Sequence, residues 1–349
     1  MELEVQDLEL AHAETFNINA HADQRELVLR KVRQWGHSSA DAILDPATKI
    51  FTVPEIEGLI GYRTVKGCAI VYGDPVCSPS DIPALTKRFH QFCEKEGRTI
   101  VYVAVSENFA RWALKHICKA LVEFGQDLFL DPQKDNPRKA SGSYACLVRR
   151  KVKHATNEGV VVKEYLKHDS ELEKAIETVG ASWLQSRQGP QIHISNVHLF
   201  TDRLGKRWFY ATYKDKVIGV LVLNQLLHME GWHLNHLMVM PAAPGGTPEM
   251  LVMTAFETIA TENARYVSFG SITAAELGEI KGLGKISSAV ACGAFKFANQ
   301  FFGLQGRKGF WEKFQPHTAK TYLLFSRPMV GIKELRGLMC ALNVSLKPK

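Results

Sequence analysis

The stretch from Gly231 to Gly270 constrains the fold more than any other part of the chain. An apolar run, Trp232-His233-Leu234-Asn235-His236-Leu237-Met238-Val239-Met240, reads as a buried strand and breaks at Pro241-Ala242-Ala243-Pro244-Gly245-Gly246-Thr247-Pro248. A helix with a wide apolar face is predicted from Pro248 to about Ala264. Pro248 suits its first turn, Thr247 its N-cap, and Glu249 the positive end of its dipole. Tyr266 to Gly270 follows as a parallel strand. The result is a βαβ unit whose Gly-rich turn offers backbone N–H groups to a carbonyl, a carboxylate or a phosphate. The same glycines are equally well explained as closing a tight turn.

The 349 residues are 46% hydrophobic and 23% charged, enough apolar material for two domains. A net charge of +7 points to an anionic partner, either nucleic acid or a membrane surface. Seven cysteines at 68, 77, 93, 118, 146, 292 and 340 form no Cys-x-x-Cys pair and read as reduced. Met1 to Leu10 is acidic and lacks the pattern of a secretory signal, and no uncharged apolar stretch approaches the roughly 20 residues that a membrane span needs. A soluble cytoplasmic protein is expected, at most peripheral to a membrane or lipid droplet.

The pattern leading into the βαβ unit occurs twice. In residues 49–135, Lys49–Val53, Leu59–Arg63 and Cys68–Tyr72 read as a strand meander, followed by a helix over 82–96, a strand over 98–106, a helix over 109–119 and a strand over 121–130. Residues 160–349 repeat it with strands at 160–166, 208–213, 217–227 and 231–240, a helix at 171–186, and then the βαβ unit. An N-terminal helical segment (1–48) precedes the first copy, and a Pro- and charge-rich connection with a basic helix (136–159) joins the two. Two copies of a meander followed by strand, helix and strand predict an α/β fold with tandem acetyltransferase-like domains. The basic helix carries Arg149, Arg150, Lys151 and Lys153, a solvated face or a docking site for a polyanion.

Several lines of sequence resemble one family, in order across about residues 50 to 330. They are Gly73-Asp74-Pro75 ahead of a helix, Leu147-Val148-Arg149-Arg150-Lys151-Val152-Lys153, Ser182-Trp183-Leu184, Ala243-Pro244-Gly245-Gly246 ahead of Glu249, and Gly306-Arg307-Lys308-Gly309-Phe310-Trp311-Glu312-Lys313-Phe314-Gln315-Pro316. The family is the C-terminal domain of phosphatidylglycerol lysyltransferase and its relatives, tandem acetyltransferase-fold enzymes that use aminoacyl-tRNA. Trp183 to Gln191, His198 to Phe209, and Gly231-Trp232 leading to Ala243-Pro244-Gly245-Gly246 are similar to its fungal branch, the ergosteryl amino-acid synthases, and within that branch to the stand-alone kind associated with glycine. Bacterial members carry an acidic residue and an arginine on the strand before the Pro-rich turn; here Asn235 and Met238 stand there, which disfavours lysine and suits a small neutral aminoacyl group.

The resemblance implies transfer of an amino acid from charged tRNA, tRNA-Gly, to the hydroxyl of a sterol or another membrane lipid, with aminoacyl-tRNA as co-substrate and no cofactor. Orientation of the hydroxyl against an activated ester supplies much of such a rate. N–H groups near Gly245, Gly246 and Thr247 are placed to hold an oxyanion, with Asn235 and Ser271 as further substrate contacts. Glu249, His236 or the tRNA's own vicinal hydroxyl are candidate bases. The resemblance assigns Arg307 and Lys313 to the acceptor end of tRNA or the donor carbonyl, and Lys308 to catalysis beside them. Arg149, Arg150, Lys151 and Lys153 are the tRNA-binding candidates. His233 and His236 lie three apart on a strand and face opposite ways unless a bulge intervenes, so no metal is expected. The apolar run Ile286 to Phe302 is expected either to line an acceptor pocket or, in preference, to be a core helix. Two rival readings, an acyl-CoA acetyltransferase and a non-catalytic tRNA- or lipid-binding module, share the fold; against the first, the turn lacks the basic residue that a pyrophosphate needs.

Overall fold

The computed structural model describes residues 13–186, 199–302 and 306–341. The N-terminal segment forms β1 (Glu14–Asn17), α1 (Ala22–Trp35) and a 3-10 turn at Ala40–Leu44. Helix α1 buries Val28, Leu29 and Val32 and ends at Gly36, where a Cβ would lie 2.3 Å from the Val32 carbonyl oxygen. The first half continues as β2 (Lys49–Val53), β3 (Ile56–Val65), β4 (Cys68–Tyr72), β5 (Val76–Cys77), α2 (Ile82–Lys95), β6 (Thr99–Ser106), α3 (Glu107–His116) and β7 (Ala120–Leu130). Helix α4 (Gly142–Glu158) connects it to the second half. That half runs β8 (Val161–Glu164), α5 (Ser170–Gln185), β9 (Lys206–Tyr213), β10 (Lys216–Leu226), β11 (Gly231–Val239), α6 (Thr247–Thr261), β12 (Tyr266–Thr273), β13 (Ile280–Lys281), α7 (Lys285–Phe302), α8 (Gly306–Glu312), β14 (His317–Phe325) and α9 (Ile332–Ala341).

Both halves use one plan, which makes the fold a tandem acetyltransferase-like α/β structure. Antiparallel β2-β3-β4 lead through α2 to β6, parallel to β4; antiparallel β9-β10-β11 lead through α6 to β12, parallel to β11. The halves then exchange their last strands. β7 leaves the first half to pair with β12, and β14 returns from the second to lie between β6 and β7. One continuous sheet results, in the order β1-β2-β3-β4-β6-β14-β7-β12-β11-β10-β9-β8. The exchange leaves the sheet no open edge at its centre, where unpaired strand groups would be costly.

Alternation along the second-half strands sends residues to two cores. Leu221, Leu223 and Leu234 meet Val148 and Val152 of α4 and Leu251 and Phe256 of α6 on one side. Val220, Val222 and Met238 meet Ile176 and Val179 of α5 on the other. Complete burial of a side chain such as Phe256 is worth about 1.5–3 kcal/mol, so these contacts fix which face of α6 meets the sheet. Met238, one of the two positions where the family's charged pair is expected, is thus a core residue. The helical reading of the run from Ile286 is right but its placement is not: α7 lies on the surface, with Ile286 83% and Phe297 61% exposed. Among the described residues no helix is long and apolar enough to cross a membrane.

Candidate active site

Helix α6 starts where the sequence predicts, but the turn before it is committed to packing. Gly246, not Thr247, is the N-cap, with φ +94, and an added Cβ would lie 2.0 Å from the Lys151 carbonyl oxygen. Only glycine satisfies both conditions. Thr247 is the first helical residue, and its hydroxyl donates to the Pro244 carbonyl at 2.7 Å. Gly245 lies against the His154 ring, so the turn and the basic helix α4 are brought together as neighbours. Glu249 is buried and accepts from Lys313 Nζ at 2.7 Å; Lys313 Nζ also stands 3.9 Å from the centre of the Phe310 ring. Trp311 stacks on Phe269 of β12 at 4.9 Å between ring centres. The stretch Gly306 to Pro316 therefore clamps β12 to α6, and Lys313, expected at the tRNA end, is buried with Glu249 instead. Lys308 is exposed, 3.6 Å from Glu312 one turn on. The Arg307 side chain lies outside the described residues, as do 187–198 of the family-like stretch.

A second region gathers polar groups on the opposite face of the sheet. β11 and β12 are in register only over Gly231–Tyr266, Trp232–Val267 and His233–Ser268, then part, β11 running on to Val239 and β12 to Thr273. In the β10 register His236 lies opposite Val222 and Leu234 opposite Leu223, so Asn235 is the extra residue of a β-bulge. The bulge turns His236 to the face of His233, contrary to the simple alternation expected. Among the described residues, no group of three or more His, Cys, Asp and Glu converges to hold a metal ion. Gly270, at φ +82, passes so near His233 that a Cβ would lie 3.1 Å from its ring.

Over this wedge sits the N-terminal segment. Asp41 accepts from Arg33 at 2.5 Å, from Asn235 at 3.0 Å and from Asn224. Burial pushes its carboxyl up, but the Arg33 guanidinium outweighs that and holds it below the ordinary value. A small cleft here is lined by Arg25, Asp41, Asp202, Lys206, Asn235 and His236, with Asp45 at its rim. Its carboxylates are matched: Arg33 to Asp41, Arg63 to Asp45 at 2.6 Å, Arg25 to Asp202 at 2.7 Å. Arg33 and Asp41, which pair beside Asn235, are residues of this region that sequence reasoning missed.

Beside the cleft stands Asp127, in the middle strand β7 and directly opposite Ser271. Ser38 Oγ lies 3.0 Å from both its oxygens, and Ser271 Oγ donates to Oδ1 at 3.1 Å. Burial pushes the Asp127 carboxyl above its ordinary value against the pull of these hydroxyls, of His37 and of Tyr266, while part of the residue still reaches solvent. The His37 ring meets His228 edge-on at 4.8 Å, and His37 Nε2 is 3.7 Å from Asp74 Oδ2. Burial lowers His228 to about 4. Gly73-Asp74-Pro75 explains how this segment is held: Asp74 accepts from the Ser106 N–H and hydroxyl at the start of α3, and Gly73, at φ +69, lies against Ser39. Of the predicted site residues, Asn235 and His236 line the cleft and Ser271 faces Asp127, whereas Gly245, Gly246, Thr247, Glu249 and Lys313 gather at the start of α6. Arg149 donates to the carbonyls of Arg138 and Ala140, tying the linker down; Arg150 and Lys153 point to solvent, and Lys151 is half-buried.

A family model described as phosphatidylglycerol lysyltransferase, C-terminal, matches residues 29–325. No curated protein sequence matches the chain. Among solved structures, the C-terminal domain assigned to a lysylphosphatidylglycerol synthetase of Agrobacterium fabrum is similar at a TM-score of 0.74 and 14% identity, covering 93% of this chain and 98% of that one. L-PGS from Bacillus licheniformis is similar at 0.72 and 14%, covering 91% and 96%. A Bacteroides thetaiotaomicron protein of unknown function follows at 0.54 and 12%, covering 93% and 97%.

Proposed function

We propose, from the premise that this chain belongs to the phosphatidylglycerol lysyltransferase C-terminal family, that its lipid acceptor is ergosterol and its amino acid glycine. The coarser statement follows from the family: the protein is an acyltransferase, an aminoacyl-tRNA-dependent lipid aminoacyltransferase. The finer one rests on similarity of Gly231-Trp232 and Ala243-Pro244-Gly245-Gly246 to the fungal branch, and on one observation in the wedge. Each of the three carboxylates lining the cleft already faces an arginine, and Lys206 adds a further positive charge. A lysyl side chain would enter against that charge, whereas a glycyl group brings no side-chain charge to be compensated.

The reaction exchanges one ester for another. The sterol oxygen bonds to the aminoacyl carbonyl carbon, the bond from that carbon to the ribose oxygen breaks, and the hydroxyl proton ends on the ribose. We assign the proton transfer to Asp127, whose proton affinity is raised by burial and whose orientation is fixed by the Ser38 and Ser271 hydroxyls. His236 and Asn235, across the wedge, orient the donor. Arg150 and Lys153 on α4 contact the tRNA backbone.

The test is incubation of purified protein with ergosterol, phosphatidylglycerol and tRNA charged in turn with labelled glycine, aspartate, lysine or alanine, followed by lipid extraction. Label from glycine in a sterol ester is the expected result. Label only in phosphatidylglycerol would keep the transferase and overturn the sterol assignment; label from lysine would overturn the charge argument.

A further inference from the structure

We propose that α7 is an interfacial helix that seats the protein on an anionic lipid surface; the inference rests on the reading that the acceptor is a lipid. The helix exposes what a helix on a globular surface normally hides. Ile286 is 83%, Val290 39% and Phe297 61% exposed. At 100° per residue these three and Gly293 fall within about 60° of the helix circumference, forming one apolar stripe along its length. Lys285 and Lys296 flank the stripe along one border, where long side chains can lay their stems on apolar material and lift their charges into headgroups. The opposite side is fixed to the fold: Asn299, buried, donates to the Ala274 and Ala275 carbonyls at 2.9 and 3.2 Å. The stripe is therefore held outward.

Charge identifies the occupant. Helix α7 contains Lys285 and Lys296 and no aspartate or glutamate; of the cations flanking it, Lys281 pairs with Glu279 at 2.5 Å and Lys308 stands 3.6 Å from Glu312, so the charge bordering the stripe comes from the two lysines of the helix itself. Glu276 stands 3.8 Å from Lys296, both mostly exposed, a pair that contributes little and opens readily. An apolar stripe edged by lysines fits a leaflet rich in acidic headgroups, each nearby lysine adding about 1 kcal/mol. A second copy of the chain fits worse, since pairing two such faces sets lysine against lysine. The length and composition suit a helix lying in the interface rather than crossing it. Such seating brings an acceptor hydroxyl at the membrane surface within reach of the protein without extracting the lipid.

The experiment is flotation of the full chain with phosphatidylcholine vesicles and with phosphatidylcholine–phosphatidylserine vesicles, without tRNA. Wild type is expected to float with the acidic vesicles and far less with the neutral ones. Ile286→Ser with Phe297→Ser should reduce binding more than about tenfold, and Lys285→Glu with Lys296→Glu should remove the preference for acidic lipid. The proposal is overturned if both double variants float like wild type, if neutral vesicles bind as well as acidic ones, or if wild type is a dimer in solution that the Ile286/Phe297 variant converts to monomer. Because no turnover is measured, flotation without transfer to any lipid would sink the acceptor reading alone, whereas transfer to detergent-dispersed acceptor without flotation would sink the docking alone.

Discussion

Two buried carboxylates, Glu249 at the start of α6 and Asp127 in the middle of the sheet, lie on opposite faces and are treated in opposite ways. Glu249 is neutralised by Lys313 at 2.7 Å, and the aromatic packing of Trp311 on Phe269 surrounds the pair. Asp127 has hydroxyls for its nearest partners, keeps some access to water and has its proton affinity raised by burial. A carboxylate with a full counter-charge holds elements together; one given only hydroxyls can gain and lose a proton where strands part. The stretch that looks most like a catalytic turn in the sequence is thus the brace, and the wedge behind it is where we propose the chemistry.

The comparison can be broken most forcefully at the brace. Glu249→Ala leaves a buried lysine unpaired and should cost about 3–5 kcal/mol in chemical denaturation, while Glu249→Leu with Lys313→Met should recover most of it. A small loss for the single variant would make Glu249 available for chemistry after all. Gly246→Ala forces a Cβ into the Lys151 carbonyl at positive φ, and a loss of about 1–3 kcal/mol in the same measurement is expected. Asp127→Asn sharpens the other side. A raised folded pKa means that the stability Asp127 contributes is present below the unfolded value, near 3.9, and lost as pH rises through the folded value. The variant should therefore match wild type near pH 3 and gain on it as pH rises towards neutrality, read from denaturation at several pH values; a gain confined to acid would contradict the assignment. Smallest is the tRNA term: Arg150→Ala and Lys153→Ala should each lower the salt slope of tRNA binding by about one, whereas Arg149→Ala should loosen the linker it ties down.

Much of the fold is legible from local pattern. The period-2 strands and the Gly-marked helix ends give most elements from α1 to β12 to within a few residues, whereas β5, β14 and α9 go unread, and the parallel pairing of β11 and β12 follows from the helix between them. What stays hidden is non-local. The exchange of β7 and β14 leaves no mark in either strand, because each mixes apolar and polar residues in a way that does not specify which strands lie beside it. The Asn235 bulge depends on register with β10, which the sequence of β11 alone does not set. Asn235, His236 and Ser271 were legible as site residues because they lie in or beside the βαβ unit. Asp41 and Ser38 were not, since they reach the wedge from a segment some two hundred residues away; the one local hint was the Gly73-Asp74-Pro75 turn that holds that segment. The surface position of α7 was hidden for another reason: an apolar stripe reads alike whether it faces a core or a lipid, and only its lysine border and its lack of acidic residues distinguish the two.

The most direct test is the single-turnover rate of aminoacyl transfer by Asp127→Asn across pH, beside Glu249→Gln. The account predicts that Asp127→Asn, with its melting temperature kept, falls about a hundredfold or more and loses the decline in rate that wild type shows as pH drops through the Asp127 pKa, while folded Glu249→Gln transfers at close to the wild-type rate. A folded Asp127→Asn that transfers normally, with the rate lost in Glu249→Gln instead, would return the chemistry to the turn before α6 and contradict it.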